Sequence, residues 1–339
     1  MKKTRFGKTE LQVSKIAFGG IPIMRLTKSD AAILVRESID LGINFIDTAH
    51  VYTDSEEKIG QAIKGIRRED IVIASKSPAD DKKTFLEHVD LSLKRLGTGY
   101  IDIYQFHGIS TQSKKDAIFA ANGAMEGMEE AVKSGKIRFP AFSSHSIPIA
   151  VELMKTNKFA SVQLPFNYID CAAADIAIPL AKELDIGFIA MKPMGGGLLD
   201  DAHLAIRYLL SFDGIVPDPG FEKIEEIKEI INIAEKDETF THNDKDEIER
   251  QRKEFGPSWC HRCDYCQPCP QGIGISSALC VKSAFKRMTK ERAHSFVGPS
   301  IEKAKTCTQC RTCVGRCPYN LDIPSLLKEQ IKVYEAMPK

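Results

Sequence analysis

Several features are scarce in this chain of 339 residues, and each scarcity excludes something. No apolar run approaches the roughly 20 residues that a membrane-spanning helix needs, so no bilayer crossing is expected. Net charge is nearly absent. The 47 Lys and Arg against 46 Asp and Glu leave +1, which gives no reason to expect a nucleic acid or an anionic membrane as partner. The basic start, Met1-Lys2-Lys3, is not followed by an apolar core of signal-peptide length. A reducing cytoplasmic setting is therefore expected, and disulfides are not. There is one tryptophan, Trp259. No Gly-x-Gly-x-x-Gly follows the first candidate strand, which argues against the dinucleotide fingerprint of a doubly wound sheet.

Cysteine, by contrast, is abundant and clustered. Eight of ten fall in two runs. One is Cys260-His-Arg-Cys263-Asp-Tyr-Cys266-Gln-Pro-Cys269-Pro270, and the other is Cys307-Thr-Gln-Cys310-Arg-Thr-Cys313-Val-Gly-Arg-Cys317-Pro318. A C-x2-C-x2-C-x3-C-P run lets three thiolates close on one iron–sulfur cube while the fourth reaches a second. Two [4Fe–4S] clusters are expected. Cys260, Cys263, Cys266 and Cys317 would hold one, and Cys307, Cys310, Cys313 and Cys269 the other. The first run is one residue short before Cys269. Zinc is the rival, since C-x2-C pairs also build zinc ribbons, but those use separated pairs. Cys171 and Cys280 stand outside both runs and read as small buried apolar residues.

The first ~235 residues alternate short β-branched runs with longer amphipathic stretches. Strands are expected at 15–18, 44–47, 71–75, 101–106, 137–142, 161–164, 187–191 and 214–216. Helices are expected at 29–41, 55–64, 83–96, 124–133, 147–155, 174–184, 202–210 and 221–234. Glycines close several of them, as at Gly42, Gly97 and Gly135. Eight βα units in this length predict a (β/α)8 TIM barrel over 1–235. Residues 236–256 are strongly charged and read as a linker, partly helical, and 257–339 as a small, mostly helical ferredoxin-like iron–sulfur domain. Helical periodicity there covers 275–292 and 323–334.

Barrel active sites form where strands end. The second strand ends at Asp47, with Tyr52 in the loop beyond; the third ends at Lys76 and the fourth at His107. Singly, a lysine or histidine after a strand is most often a solvated surface group. Together, four complementary groups at adjacent strand ends would converge on one pocket. A free tyrosine has a pKa near ~10 and is a poor acid–base partner at neutral pH. A lysine ammonium beside it would stabilise tyrosinate, and a carboxylate would fix that ammonium.

The spacing and context of these residues resemble the aldo/keto reductase family over roughly 3–234. The carrying segments are Arg5-Phe6-Gly7-Lys8-Thr9, Ser14-Lys-Ile-Ala-Phe-Gly19-Gly20, Asp47-Thr-Ala with Tyr52, Ser75-Lys76, Asp102-Ile-Tyr-Gln-Phe-His107, Phe142-Ser143-Ser144 and Val162-Gln163 with Phe166-Asn167. The resemblance implies that Tyr52 gives a proton to a substrate oxygen as hydride arrives at carbon. It also implies that Lys76 and Asp47 tune Tyr52, and that His107 orients the carbonyl. Ser143, Ser144 and Gln163 would hold the nicotinamide carboxamide of NAD(P)H, within a site also drawing on Gly20 and Gly220. Met191 takes the place of a stacking aromatic, with Lys192 beside it. Gly195, in the Gly195-Gly196-Gly197 run, would help to cradle phosphates. The loop after the eighth strand offers Lys223 and two acids, Asp218 and Glu222, which favours NAD over NADP, or else a weak or altered nucleotide site. Barrel plus cysteine runs together resemble the branch of that family that carries a C-terminal 4Fe–4S domain. One-electron clusters and two-electron nicotinamide need a converter, so flavin is a second candidate cofactor, and an external electron donor or acceptor a candidate partner. Three functions stay open: iron–sulfur oxidoreductase of a small carbonyl substrate, NAD(P)H-dependent carbonyl reductase with structural clusters, and non-enzymatic electron carrier.

Overall fold

A computed structural model of the chain describes residues 1–236 and 238–338. Ten strands are present among them: β1 (Lys3–Arg5), β2 (Gln12–Ser14), β3 (Phe18–Gly19), β4 (Phe45–Asp47), β5 (Val72–Ser77), β6 (Ile101–Phe106), β7 (Ile137–Ser143), β8 (Ser161–Pro165), β9 (Gly187–Met191) and β10 (Ile215–Asp218). From β3 to β10 each strand pairs in parallel with the next. The ring closes where Ala17 N–H donates to Pro217 O at 2.9 Å and Gly19 N–H to Pro219 O at 2.8 Å. Helices follow the strands and pack their apolar stripes on the outside, so the sheet is buried on both faces, as a parallel barrel must be.

Side chains alternate across each strand. Phe45, Ala74, Ile103, Ala141, Ile189 and Val216 fill the barrel interior as one apolar layer. Two residues further along the same strands come Asp47, Lys76, Gln105, Ser143, Met191 and Asp218. The same period therefore carries these groups to the C-terminal mouth. The other end is closed by the antiparallel β1–β2 hairpin, which the strand pattern does not reveal. Phe6, just after β1, sits edge-on to Phe45 with ring centroids 5.3 Å apart. A Cβ at Gly187 would lie 2.5 Å from the Phe6 ring, so glycine there lets the plug seat.

Most expected elements stand within a few residues of their places. The first barrel strand is the main displacement: it is Phe18–Gly19 rather than 15–18, because Ser14 and Asn44 exchange hydrogen bonds that tie the preceding segment to the hairpin. The charged segment 236–256 is not a loose linker. It contains the helix His242–Phe255, opened by a capping box in which Thr241 and Asp244 satisfy each other's backbone N–H groups. That helix lies on the barrel through buried Ile248 and through the ion pair of Arg207 with Asp244 at 2.9 Å.

Beyond it, residues 266–327 build a second apolar core around Ile273, Val281, Val297, Ile301, Ile323 and Leu327. Its helices include Val281–Arg287, Lys290–Ala304 and Ile323–Glu335. This helical unit seats on the glycine run after β9. Gly195, Gly196 and Gly197 all adopt positive φ, at 57°, 70° and 83°. Ser283 donates to Gly196 O at 3.0 Å, Lys286 to Gly197 O at 2.6 Å, and Arg25 to Lys286 O at 2.6 Å. A Cβ at Gly195 would lie 2.4 Å from the Trp259 ring.

Candidate active site

A cavity of about 560 Å³ opens at the C-terminal mouth of the barrel. That volume suits a small ligand and part of a nucleotide. Asp47, Tyr52, Lys76 and His107 all line it. Lys76 Nζ donates to Asp47 Oδ2 at 2.5 Å and to Thr48 O at 2.7 Å. It also lies 5.3 Å from the centre of the Tyr52 ring. Tyr52 and His107 meet edge to face with centroids 5.9 Å apart. Burial alone would lower the Lys76 pKa, but Asp47 with Tyr52 and Asp218 outweighs it and holds the ammonium above its usual value.

One electrostatic expectation changes. The Tyr52 phenol is not lowered. Burial pushes it up, and Lys76 opposes that without overcoming it. At neutral pH the phenol is therefore protonated and able to donate. His107 is pushed down to about 3 by burial and then by Lys76, Lys114 and Arg262, so it is a neutral imidazole.

Six of the nine residues expected to hold the nicotinamide nucleotide line the same cavity: Gly20, Ser143, Gln163, Met191, Lys192 and Gly220. Three do not. The Ser144 hydroxyl is turned into its own loop, donating to Ser146 O at 3.2 Å. Gly195 is covered by Trp259 as described. Lys223 is exposed outside the cavity, while Glu222, Glu226 and Glu229 line it. Its backbone N–H, with that of Glu222, goes to Glu226 at the start of the helix Ile224–Lys236.

At the mouth these residues meet others, His145 and several arginines, that were not singled out from the sequence. Gln163 Nε2 donates to Asp218 Oδ2 at 3.0 Å. Burial, then Asp47, pushes the Asp218 carboxyl well above the carboxylate range. Gln163 Oε1 and Asp218 Oδ1 are buried with no hydrogen-bond partner. His145 Nε2 lies 2.7 Å from Lys192 Nζ. From the helical unit come Arg262, Lys286, Arg287, Arg292 and Phe296, which roof the cavity. The strand alternation could have placed Asp218 inside the mouth. Nothing in the local sequence could have found the arginines, since they reach the site only through docking. A second cavity, about 630 Å³, lies in the seam between barrel and helical unit and includes none of Asp47, Tyr52, Lys76 or His107.

None of the ten cysteines is in a disulfide. Among the described residues no three His, Cys, Asp or Glu side chains are gathered as ligands of one metal ion. Cys269, Cys307, Cys310 and Cys313 nonetheless line one small cavity of their own. Cys280 is buried, its Sγ 3.1 Å from Ser277 O, whereas Cys171 is partly exposed.

A parallel eight-stranded barrel with a buried Asp–Lys pair, a phenol and an imidazole at its C-terminal mouth defines a class, the barrel oxidoreductases that handle carbonyl groups. The family model that matches residues 15–203 is that of the aldo/keto reductase family, and the chain belongs to it. The uncharacterized oxidoreductase YqkF of Bacillus subtilis is 32% identical over 218 residues, 60% of this chain and 68% of that protein. The aldo-keto reductase YhdN of the same organism is 29% identical, over 66% of this chain and 71% of that one. Among solved structures, the aldo-keto reductase AKR11C1 from Bacillus halodurans in its holo form superposes with TM-score 0.63 at 26% identity, covering 74% of this chain and 96% of that one. A Klebsiella pneumoniae aldo-keto reductase solved with NADPH shares the fold, with TM-score 0.62 at 23% identity over 74% of this chain and 95% of its own. The protein is thus an oxidoreductase. Both cysteine runs lie beyond the matched segment 15–203.

Proposed function

We propose that the protein is a nicotinamide-dependent carbonyl reductase. One observation carries the reading: the proton-donating phenol, its ammonium neighbour and a neutral imidazole share a cavity with two buried, unpartnered polar atoms, Gln163 Oε1 and Asp218 Oδ1. The orphaned amide oxygen fits an N–H of a carboxamide, and the free oxygen of the neutral Asp218 carboxyl fits its C=O. Gly20 and Gly220 keep the walls close, since a Cβ at Gly20 would lie 2.8 Å from Asp47 O and one at Gly220 2.5 Å from Pro22. Bound there, reduced nicotinamide would supply the hydride. As the C=O π bond opens, Tyr52 gives its proton to the oxygen, and the Lys76 ammonium stabilises the tyrosinate left behind. His107, neutral, donates a hydrogen bond that orients the carbonyl. Solvent then restores the phenol. Glu222, Glu226 and Glu229 would repel a 2′-phosphate, which supports NADH over NADPH.

The test is NADH and NADPH oxidation with a panel of aldehydes and ketones by wild type and Tyr52→Phe. A positioned general acid contributes roughly 10²–10⁴-fold, so the variant should lose turnover by about that factor while still binding nucleotide. Unchanged turnover would sink the proposal.

A second reading concerns the helical unit. The grouping of Cys269, Cys307, Cys310 and Cys313 around one cavity matches the set assigned by spacing to one [4Fe–4S] cluster. Burial is the main cause that pushes up the Cys266 and Cys263 thiols; Cys260 and Cys263 add to the first and Cys317 to the second, so the four lie within electrostatic reach of one another. Electron exchange between such clusters and the barrel, directly or through a flavin, is the wider form of this reading.

A further inference from the structure

The walls of the catalytic cavity differ in sign. On the side of the helix Ile224–Lys236 stand Glu222, Glu226 and Glu229. On the other side, beneath the helical unit, stand Lys192, Arg262, Arg287 and Arg292. Arg25 is paired with Glu222 at 3.1 Å and Lys286 approaches Asp200 at 3.8 Å. Arg262, Arg287 and Arg292 have no such partner: among the described residues, no carboxylate forms an ion pair with any of them. Arg287 Nε is spent on Ser283 O at 3.1 Å, which leaves its two terminal nitrogens unassigned. The Arg262 guanidinium lies over the Phe296 ring at 5.6 Å, and its Nε is buried without a hydrogen-bond partner.

Several like charges held together without counter-charge are costly, and a protein keeps them where something anionic completes the set. The neighbouring groups register the same field. Lys192, partly buried, is held well below the ordinary lysine range by desolvation and then by Arg262 and Arg287. His145 is held down by burial and then by Lys192 and Arg262. The field also reaches the chemistry, since Arg262 acts on His107 and Arg287 on Tyr52. The carboxyls on the cavity floor do not cancel it. Asp47 is taken up by Lys76, and Asp218 is held by Gln163.

We infer that Arg262 and Arg287, with Lys192, form an anion subsite at the substrate end of the cavity, so that the substrate is a small oxo compound carrying a carboxylate or phosphate beside the reacting carbonyl. This rests on the reading of the cavity as a reductase site and adds the substrate class. The guanidinium fork suits both anions, because each offers two oxygens in one plane. The two guanidinium groups of the subsite lie outside the segment 15–203 that matches the family, and Lys192 lies inside it, so substrate selection draws on both parts of the chain.

The test is calorimetric titration of full-length protein, purified without oxygen and saturated with NAD⁺, using two matched pairs. Pyruvate against pyruvamide probes a carboxylate; dihydroxyacetone phosphate against dihydroxyacetone probes a phosphate. At least one anion should bind ten-fold or more tightly than its neutral partner. Arg287→Gln and Arg262→Gln should each remove most of that difference, and Arg287→Lys should restore part of it. Equal binding of both members of both pairs overturns the inference without any variant being made. It also falls if NAD⁺ displaces the anion, which would assign the arginines to the nucleotide pyrophosphate. It falls again if Arg262→Gln lowers iron content while Arg287→Gln leaves anion binding intact, which would assign Arg262 to the thiolates flanking it. Turnover is read separately with NADH: discrimination without turnover sinks the reductase reading alone, and turnover without discrimination sinks the anion subsite alone.

Discussion

Replacing Lys76 by Met tests the centre of the site through stability as well as activity. Lys76 and Asp47 have side chains 2% and 3% exposed, and their ion pair closes at 2.5 Å. Lys76 also satisfies Thr48 O. Lys76→Met keeps the volume and removes the charge. It leaves the Asp47 carboxylate buried beside the Asp218 carboxyl with no cation in reach. Breaking a buried pair from one side costs about 3–5 kcal/mol, most of it the stranded charge. For a unit of this size each kcal/mol moves the melting point by roughly 2–4 °C, so the barrel transition should fall by about 6–20 °C. Asp47→Asn combined with Lys76→Met strands no charge, leaving only Thr48 O without its donor, and should recover most of that loss. A double-mutant cycle by scanning calorimetry under anaerobic conditions measures the difference. Both variants should lose turnover, because the tyrosinate left after proton transfer has lost its counter-charge. If Lys76→Met melts within about 2 °C of wild type, or if the double variant is no more stable than the single, the pair is not the buried unit described here.

Other outcomes follow from particular contacts. Gly195→Ala should unseat the helical unit, because its Cβ would lie 2.4 Å from the Trp259 ring and the residue has φ 57°. As Trp259 is the single tryptophan, a red shift of fluorescence emission reads it directly, and an unshifted spectrum counts against the docking. Protein purified without oxygen should carry about eight irons per chain and Cys313→Ala about four, measured with acid-labile sulfide; colourless wild type would remove the cluster reading. His107, neutral down to about 3, binds no proton where an unfolded histidine, near ~6.5, does. Its contribution therefore leaves the protein whole above about pH 6.5 and costs stability as pH falls toward 3, by at most about 1.4 kcal/mol per unit. Denaturant melts across pH 4–7 should show this slope, shallower in His107→Asn.

The barrel was legible because its signal is periodic. Strands such as Ile101–Phe106 and Gly187–Met191 coincide with their apolar runs, since a strand buried on both faces has no other way to be written. Asp47, Lys76 and His107 were legible as strand-end ionisable groups. Lys223, Gly195 and Ser144 were misplaced because the loop segments that hold them answer to tertiary contacts: Trp259 claims Gly195, and Ser146 claims the Ser144 hydroxyl. The Lys76 effect on Tyr52 had the right sign but the wrong rank. Proximity of a cation is visible in sequence, whereas the desolvation that outweighs it depends on the roof. Some helix was expected within 236–256, but the bounds of His242–Phe255 were not drawn, although Thr241 three residues before Asp244 was a readable start signal.

The roof also joins two observations that look separate. The barrel contributes an acid-rich wall at the nucleotide end, and the catalytic pair Asp47–Lys76 is internally neutral. A barrel alone would therefore offer an incoming anion little attraction. The positive wall comes from Arg262, Arg287 and Arg292, and these are held in place by Gly195–Gly197 receiving Trp259, Ser283 and Lys286. Alanine is excluded from that glycine seat by positive φ and, at Gly195 and Gly196, by close contact. The run expected to cradle a cofactor thus serves as a socket for the neighbouring helices. Through that socket the helical unit sets the charge of the substrate pocket, whatever its cysteines bind.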